Sequence, residues 1–161
     1  MKQVITKWTA CLCMLVLAVG IMAGCAQNNQ MNSEQQANRT YMSQVNEIID
    51  QLNGDLDSFV DAVSRGDIVN MRTQADNAYK TLDKLAALEA PEALTDVQGY
   101  YTDGTKKMRD ALDAYITLYT ELEAGSFDQS TYSKRIADVQ KLYDEGVETL
   151  KKGDEAAAAK Q

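Results

Sequence analysis

The 161-residue chain contains no histidine, a single proline and only three cysteines, and the missing histidine excludes the most chemistry. Without an imidazole the chain cannot form a Ser-His-Asp triad, a Cys/His zinc site, the Glu-x-x-His pairs of di-iron bundles or a histidine-ligated haem. A Gly-rich phosphate loop and the G-x-S-x-G nucleophile motif are also missing. We therefore predict that the protein is not an enzyme and has no catalytic residues, no metal ligands and no cofactor.

One acidic segment has the alternating spacing of a calcium-binding loop, with Asn53, Asp55 and Asp57 at its first three ligand positions. Such a loop needs a glycine where this chain has Ser58 and a glutamate where it has Ser64. We interpret the segment as part of a solvated acidic face.

All three cysteines lie within the first 25 residues, at Cys11, Cys13 and Cys25. Two lysines precede an almost unbroken apolar run over residues 10–21, and small residues follow it. This order is typical of a secretory signal segment, whereas a membrane-spanning helix needs about 20 apolar residues. We predict that residues 1–24 are a signal peptide, which leaves Cys25 alone and excludes an intrachain disulfide in the mature chain.

The residues Met22-Ala23-Gly24-Cys25 resemble the lipobox of bacterial lipoproteins, with Met22 where that family more often has leucine. The resemblance implies cleavage between Gly24 and Cys25, a diacylglyceryl thioether on the Cys25 sulfur, and acylation of the new amino terminus by a fatty acid such as palmitate. Two or more acyl chains hold a protein durably at a membrane. The alternative is an ordinary cleaved signal peptide with an incidental cysteine. The resemblance covers the signal segment alone and assigns no family to the rest of the chain.

The predicted mature chain is strongly acidic. Two of the 16 basic residues precede Cys25, so 14 basic residues face 24 acidic ones and the formal charge is −10. Because this charge repels phosphate backbones, we expect no nucleic-acid partner. The membrane is expected to be contacted through the acyl chains on Cys25, which places the protein at the cell membrane, lipid-anchored and extracytoplasmic.

Four stretches with apolar residues every three or four positions predict helices at about 33–65, 67–90, 92–124 and 128–152. The breaks between them contain Gly66-Asp67, Pro91 and Gly125-Ser126, which are typical helix ends and starts. Residues 25–32 are predicted to form the lipidated N-terminus and a flexible tether, and residues 153–161 a frayed tail. Because the joints are short, we predict an all-α fold, an antiparallel up-down-up-down four-helix bundle over residues 33–152.

Tyrosine is the abundant aromatic residue, with eight copies against two phenylalanines. Several tyrosines and two glycines, Gly104 and Gly146, fall on the predicted core stripes. One interpretation is a core of amphipathic rings in which the glycines admit close helix approach. The other is a cavity for a small apolar or aromatic ligand. Its lining, called the ligand seam below, would consist of Tyr101, Gly104, Met108, Tyr115 and Tyr143.

These features together predict a non-enzymatic, lipid-anchored protein of the cell envelope that acts as a helical adaptor, spacer or protein-binding module. Its partner would be an envelope protein or a wall component. The alternative is a small-molecule-binding or sensory bundle that uses the ligand seam.

Overall fold

The computed structural model describes residues 33–126 and 128–160, and this part of the chain is helical throughout apart from short connections. It contains no β-strand within those ranges, which confirms the predicted all-α class. The four helices are α1 (Ser33–Arg65), α2 (Ile68–Ala86), α3 (Thr95–Glu123) and α4 (Tyr132–Ala158). Single 3₁₀ turns at Glu92–Leu94 and Gln129–Thr131 precede α3 and α4. None of these four helices is long and apolar enough to cross a membrane.

The predicted signal peptide, residues 1–24, and the predicted lipidated N-terminus and tether, residues 25–32, lie outside the described residues. The described helices fall into two compact units that divide within α2, between Thr81 and Leu82. The first unit contains α1 and most of α2, and the second contains the end of α2, α3 and α4.

Helix α1 runs unbroken through Asn53-Gly54, although this pair is a strong turn signal in isolation. Its buried face continues on both sides of the glycine, with Val45, Leu52 and Phe59 spaced seven residues apart. The acidic segment with calcium-loop spacing is therefore helical and does not form a loop. Asp55 within it accepts a hydrogen bond from Thr81 Oγ1 at 2.6 Å, which ties α1 to α2 in the first unit.

At the turn between α1 and α2, Gly66 ends the first helix and Asp67 caps the second. Gly66 adopts a φ of +67°, a conformation that costs glycine little. Its N–H donates to Val63 O and the Asp67 N–H donates to Ala62 O, each at 3.0 Å, which is the Schellman pattern of a helix end. The Asp67 carboxylate then caps α2 by accepting from Asn70 N at 3.1 Å. These bonds from Asn70 hold the pKa of Asp67 below its usual value.

Helix α2 ends at Ala86, four residues before the predicted end at residue 90. Proline disfavours helical geometry in the residue before it, and here the non-helical segment includes four residues ahead of Pro91. Within it, the Leu88 carbonyl accepts a hydrogen bond from Gln98 Nε2 at 2.8 Å. This bond gives the Leu88 carbonyl a partner in place of a helical backbone hydrogen bond. The predicted third helix accordingly starts as a 3₁₀ turn, and α3 begins at Thr95.

The connection between α3 and α4 repeats the first turn. Gly125 has a φ of +65°, and the same pair of backbone hydrogen bonds closes α3. Asp128 Oδ1 then accepts from Ser130 N at 2.9 Å and caps a 3₁₀ turn, so α4 begins at Tyr132 and not at residue 128 as predicted.

The predicted frayed tail over residues 153–161 is wrong for most of its length, because α4 continues to Ala158. Gly153 is buried and Ala157 is 2% exposed, so the buried face established by Leu150 continues past the predicted end. Lys160 adds a hydrogen bond from its Nζ to Ala93 O at 2.8 Å and an ion pair with Asp96. Packing and these polar contacts together hold the end of the helix.

Candidate functional site

The α3–α4 contact in the second unit contains most of the predicted ligand seam. Tyr101 near the start of α3 contacts Asp154 near the end of α4, whereas Glu121 near the end of α3 pairs with Arg135 near the start of α4. The two helices therefore pack antiparallel.

Gly104 of α3 is a point of close approach to α4 and is not the floor of a cavity. A Cβ built on Gly104 would lie 2.6 Å from Leu150 Cδ2 and 3.1 Å from Leu150 N. The first distance is shorter than real carbon–carbon contacts and the second is tighter than most contacts, so Leu150 would have to move to admit a Cβ. Leu150 is 1% exposed, so its side chain fills the space that glycine leaves.

Gly146 of α4 has the complementary role. A Cβ on Gly146 would lie 2.9 Å from both Cγ and Sδ of Met108 and 3.1 Å from Met108 N. Met108, which was predicted to line a cavity, instead occupies the notch opposite Gly146 and is 2% exposed. Each helix thus inserts one large side chain against a glycine of the other, and both glycines serve packing.

Tyr101 combines the same type of packing with a buried polar contact. Its ring lies over Gly153, where a Cβ would be 3.0 Å from Tyr101 Cε1. Its hydroxyl donates a hydrogen bond to Asp154 Oδ1 at 2.6 Å, and the Tyr101 residue is fully buried. Burial raises the pKa of Asp154 above its usual value, and the Tyr101 hydrogen bond opposes that rise. The arrangement positions Tyr101 and gives its hydroxyl a partner.

Tyr115 belongs to a separate aromatic cluster nearer the Gly125 turn. Its ring and that of Tyr119 are stacked at a centroid distance of 6.5 Å and an interplanar angle of 26°. Burial raises the pKa of Tyr115, and the neighbouring Tyr132 and Tyr119 raise it further. Burial also raises the pKa of Tyr132. A raised pKa keeps these phenols protonated, which makes them poor bases and nucleophiles at neutral pH.

The seam residues are therefore only partly brought together. Tyr101, Gly104 and Met108 share the α3–α4 contact, Tyr115 lies in the aromatic cluster, and Tyr143 is half-buried on α4. The contacts at the glycines favour the packing interpretation over a ligand cavity. Across residues 33–126 and 128–160, no group of three or more carboxylates or thiols is placed to hold a metal ion.

Sequence reasoning missed the Tyr101–Asp154 contact, because residues after 152 were assigned to a frayed tail. The spacing of Gly146, Leu150, Gly153 and Ala157 was the available signal, since it continues the stripe of α4 at steps of three and four. Its residues are all small or aliphatic, as a helix in close contact requires.

Among residues 33–81 of the first unit, two side-chain polar atoms are buried without a hydrogen-bond partner, Asn38 Oδ1 and the Tyr41 hydroxyl. They lie three residues apart, so they share one face of α1. Burial raises the pKa of Tyr41 to about 12. The Tyr41 hydroxyl therefore differs from that of Tyr101, which has a partner.

Gly24 and Cys25, the predicted cleavage and lipidation residues, lie outside the described residues. Comparison with known proteins found no matching family model, no matching curated protein and no matching solved structure.

Proposed function

We propose that this protein is a lipid-anchored component of the cell envelope, held at the extracytoplasmic face of the cell membrane by acyl chains on Cys25. The observation that carries the proposal is the order of residues at the start of the chain: two lysines, an apolar run, and Met22-Ala23-Gly24-Cys25. This order resembles a lipoprotein signal, in which cleavage before the cysteine creates the lipidated terminus.

The helical body would serve this anchored protein as an adaptor, spacer or protein-binding module without enzymatic activity. The missing histidine removes the commonest general base. The described tyrosines with raised pKa values supply no ready nucleophile. Neighbouring side chains fill the space beside the glycines of the α3–α4 contact, which is a reason to prefer a protein or wall partner over a small ligand.

We further propose that the four helices pack as an antiparallel up-down-up-down bundle. The Schellman turns at Gly66 and Gly125 are compact enough to reverse the chain direction, and α3 and α4 are antiparallel. Small-angle scattering of residues 33–161 tests the arrangement. A maximum dimension near the length of α1, roughly 50 Å, supports a bundle, whereas a value near 100 Å contradicts it.

Membrane fractionation of cells expressing the full chain tests the anchor. We expect the protein in the membrane fraction, resistant to high salt and released by detergent. A secreted form, in which an ordinary cleaved signal peptide replaces residues 1–25, should appear in the soluble fraction with unchanged helical circular dichroism. If wild-type protein is released by salt alone, or if the secreted form stays with the membrane, the proposed anchor is wrong.

Cross-linking in intact cells followed by affinity capture separates the two kinds of binding. Recovery of the same envelope protein or wall fragment with wild type, and its loss with the secreted form, supports an anchored adaptor. A rise in melting temperature with small aromatic compounds, in the absence of any such partner, would instead favour the sensory alternative.

A further inference from the structure

The charge on α1 is distributed unevenly along its exposed face. Over residues 33–46 the helix carries one acidic and one basic residue, Glu34 and Arg39. Over residues 47–61 it carries five acidic residues and no basic one, and Arg65 in its last turn forms an ion pair with Asp61. The exposed face is therefore neutral at the end of α1 that follows the predicted anchor and negative farther along.

Four of the five acidic residues lie together on the surface. They are all exposed and follow each other at the steps of three, seven and four that keep residues on one side of a helix. We call this set the acidic stripe of α1; it consists of Glu47, Asp50, Asp57 and Asp61.

The part of the same face that precedes the acidic stripe is exposed and uncharged, and we call it the neutral segment. It consists of Ser33, Gln36, Thr40 and Ser43. The neighbouring Arg39 is exposed as well. This segment can approach a negatively charged surface without electrostatic cost, whereas the acidic stripe cannot.

The sequence fixes how far the neutral segment can be from a lipid on Cys25. Only residues 26–32 separate Cys25 from α1, and seven residues span at most about 25 Å. The first acidic residue of the stripe, Glu47, lies fourteen residues into α1, roughly 21 Å along the helix axis. The anchor therefore holds the neutral segment near the bilayer but leaves room for the stripe to be close or distant.

From this we propose that the exposed face of α1 orients the protein on an anionic bilayer. In this raised orientation the Ser33 end of α1 lies nearest the bilayer, and the acidic stripe lies beyond the neutral segment, farther from the bilayer. This inference rests on the proposed lipidation of Cys25. In the raised orientation the stripe lies more than two Debye lengths from the bilayer, since that length is about 8 Å at physiological salt. With the same face lying on the bilayer, the four carboxylates of the stripe, of which Asp61 is paired with Arg65, would fall within about one Debye length of anionic headgroups. Of these two orientations, repulsion therefore favours the raised one, which presents the far end of α1 to the envelope.

Energy transfer from a labelled thiol to an acceptor on lipid headgroups tests the orientation. Because Cys25 would carry acyl chains and the other two cysteines would leave with the signal peptide, a thiol introduced by Ala37→Cys or Ser64→Cys is the one reactive thiol of each purified mature variant. Both residues are exposed, and they lie roughly 40 Å apart along α1. Vesicles of phosphatidylcholine with and without phosphatidylglycerol provide anionic and neutral surfaces.

We expect roughly twofold or greater transfer from residue 37 than from residue 64 on anionic vesicles. Transfer from residue 64 should rise on neutral vesicles and also in 1 M salt, where the Debye length falls to about 3 Å. Equal transfer from the two positions, or a signal at residue 64 that ignores both lipid charge and salt, would overturn the inference.

A matched pair of charge variants separates the stripe from net charge. In the first, Glu47→Gln, Asp50→Asn and Asp57→Asn neutralise three charges of the stripe, and the lipid dependence at residue 64 should disappear. The control variant makes the same change in net charge on exposed residues of α3, with Asp103→Asn, Asp110→Asn and Glu123→Gln. In the control, the lipid dependence at residue 64 should remain. Equal effects of the two sets would contradict a role for the stripe.

Failure of the anchor gives a different result from failure of the orientation. An unlipidated chain would not float with vesicles, and neither label would transfer energy. A lipidated chain in the wrong orientation floats and transfers energy, but without the predicted difference between residues 37 and 64.

Discussion

Replacing a glycine by alanine should have opposite effects at two helical positions of this chain. At Gly104 the added methyl group would lie 2.6 Å from Leu150 Cδ2 and 3.1 Å from the Leu150 backbone nitrogen. At Gly54, which is also within a helix, a Cβ would meet no atom within 4 Å. The same chemical change therefore isolates the packing at Gly104 from the general preference of helices for alanine.

The magnitudes follow from two terms. Alanine stabilises a helix interior by about 1 kcal/mol relative to glycine, so Gly54→Ala should raise the free energy of unfolding by about that amount. At Gly104 the same gain is opposed by overpacking, which costs typically about 1–3 kcal/mol. Leu150 is 1% exposed, so its side chain would have to shift within the core, and its backbone nitrogen cannot move without moving α4. We therefore expect Gly104→Ala to lower the free energy of unfolding by up to about 2 kcal/mol.

Urea unfolding followed by circular dichroism, on residues 26–161 at matched concentration, measures both variants against wild type. The expected midpoints lie on opposite sides of the wild-type value with an unchanged slope. If Gly104→Ala stabilised the protein as much as Gly54→Ala, there would be unfilled space beside Gly104. That outcome would refute the close α3–α4 contact and would restore the ligand seam.

Three further predictions concern single side chains. Tyr101→Phe should lower the free energy of unfolding by about 1–2 kcal/mol, because it removes the hydrogen-bond partner of the half-buried Asp154 carboxylate. Tyr41→Phe should change the free energy of unfolding little, since the Tyr41 hydroxyl has no partner. Equal effects of the two variants in urea unfolding would contradict this difference. Asp154 has a raised pKa in the folded state, so it contributes stability that is present below its ordinary pKa of 3.8 and is lost as pH rises through the folded value. The stability of Asp154→Asn relative to wild type should therefore increase as the pH rises from 3.5 to 7. A stability difference between the two proteins that is constant with pH would refute the raised pKa of Asp154. Gly66→Ala should cost about 1–2 kcal/mol in thermal unfolding because of its φ of +67°, and an unchanged melting temperature would show that the turn takes another form.

The helical class was predictable because the apolar period of α1 is local information. Residues such as Val45, Leu52 and Phe59 keep one face buried across Gly54, and the weak helix propensity of one glycine cannot outweigh that burial. The pair Gly66-Asp67 was equally readable, since glycine and aspartate suit the two sides of a helix–helix turn.

The helix ends near Pro91 and after Gly153 depended on contacts that sequence spacing does not reveal. The carbonyl of Leu88 finds its partner in Gln98, ten residues away, so α2 can stop before proline requires it. Gly153 resembles a helix stop, but the ring of Tyr101 rests on it and makes it part of a buried face. A glycine at a helix contact and a glycine at a helix end are identical in sequence, and only the opposing side chain distinguishes them.

The candidate ligand seam illustrates the same limit. Tyrosines and glycines on one stripe are compatible with a cavity or with close packing, because the sequence gives the size of each side chain but not which side chain faces each glycine. Leu150 and Met108 decide the question at Gly104 and Gly146 by filling the notches. Neither residue could be paired with its glycine before the register of α3 against α4 was known.

The central claim is that Cys25 becomes a lipidated amino terminus, and intact-mass analysis of detergent-extracted protein tests it most directly. We predict a chain that begins at Cys25, with a mass increase that corresponds to a diacylglyceryl group and an amide-linked fatty acid or to the diacylglyceryl group alone. Treatment with protease should confine that increase to the first peptide. A free thiol on Cys25, or a chain that still carries residues 1–24, would contradict the claim.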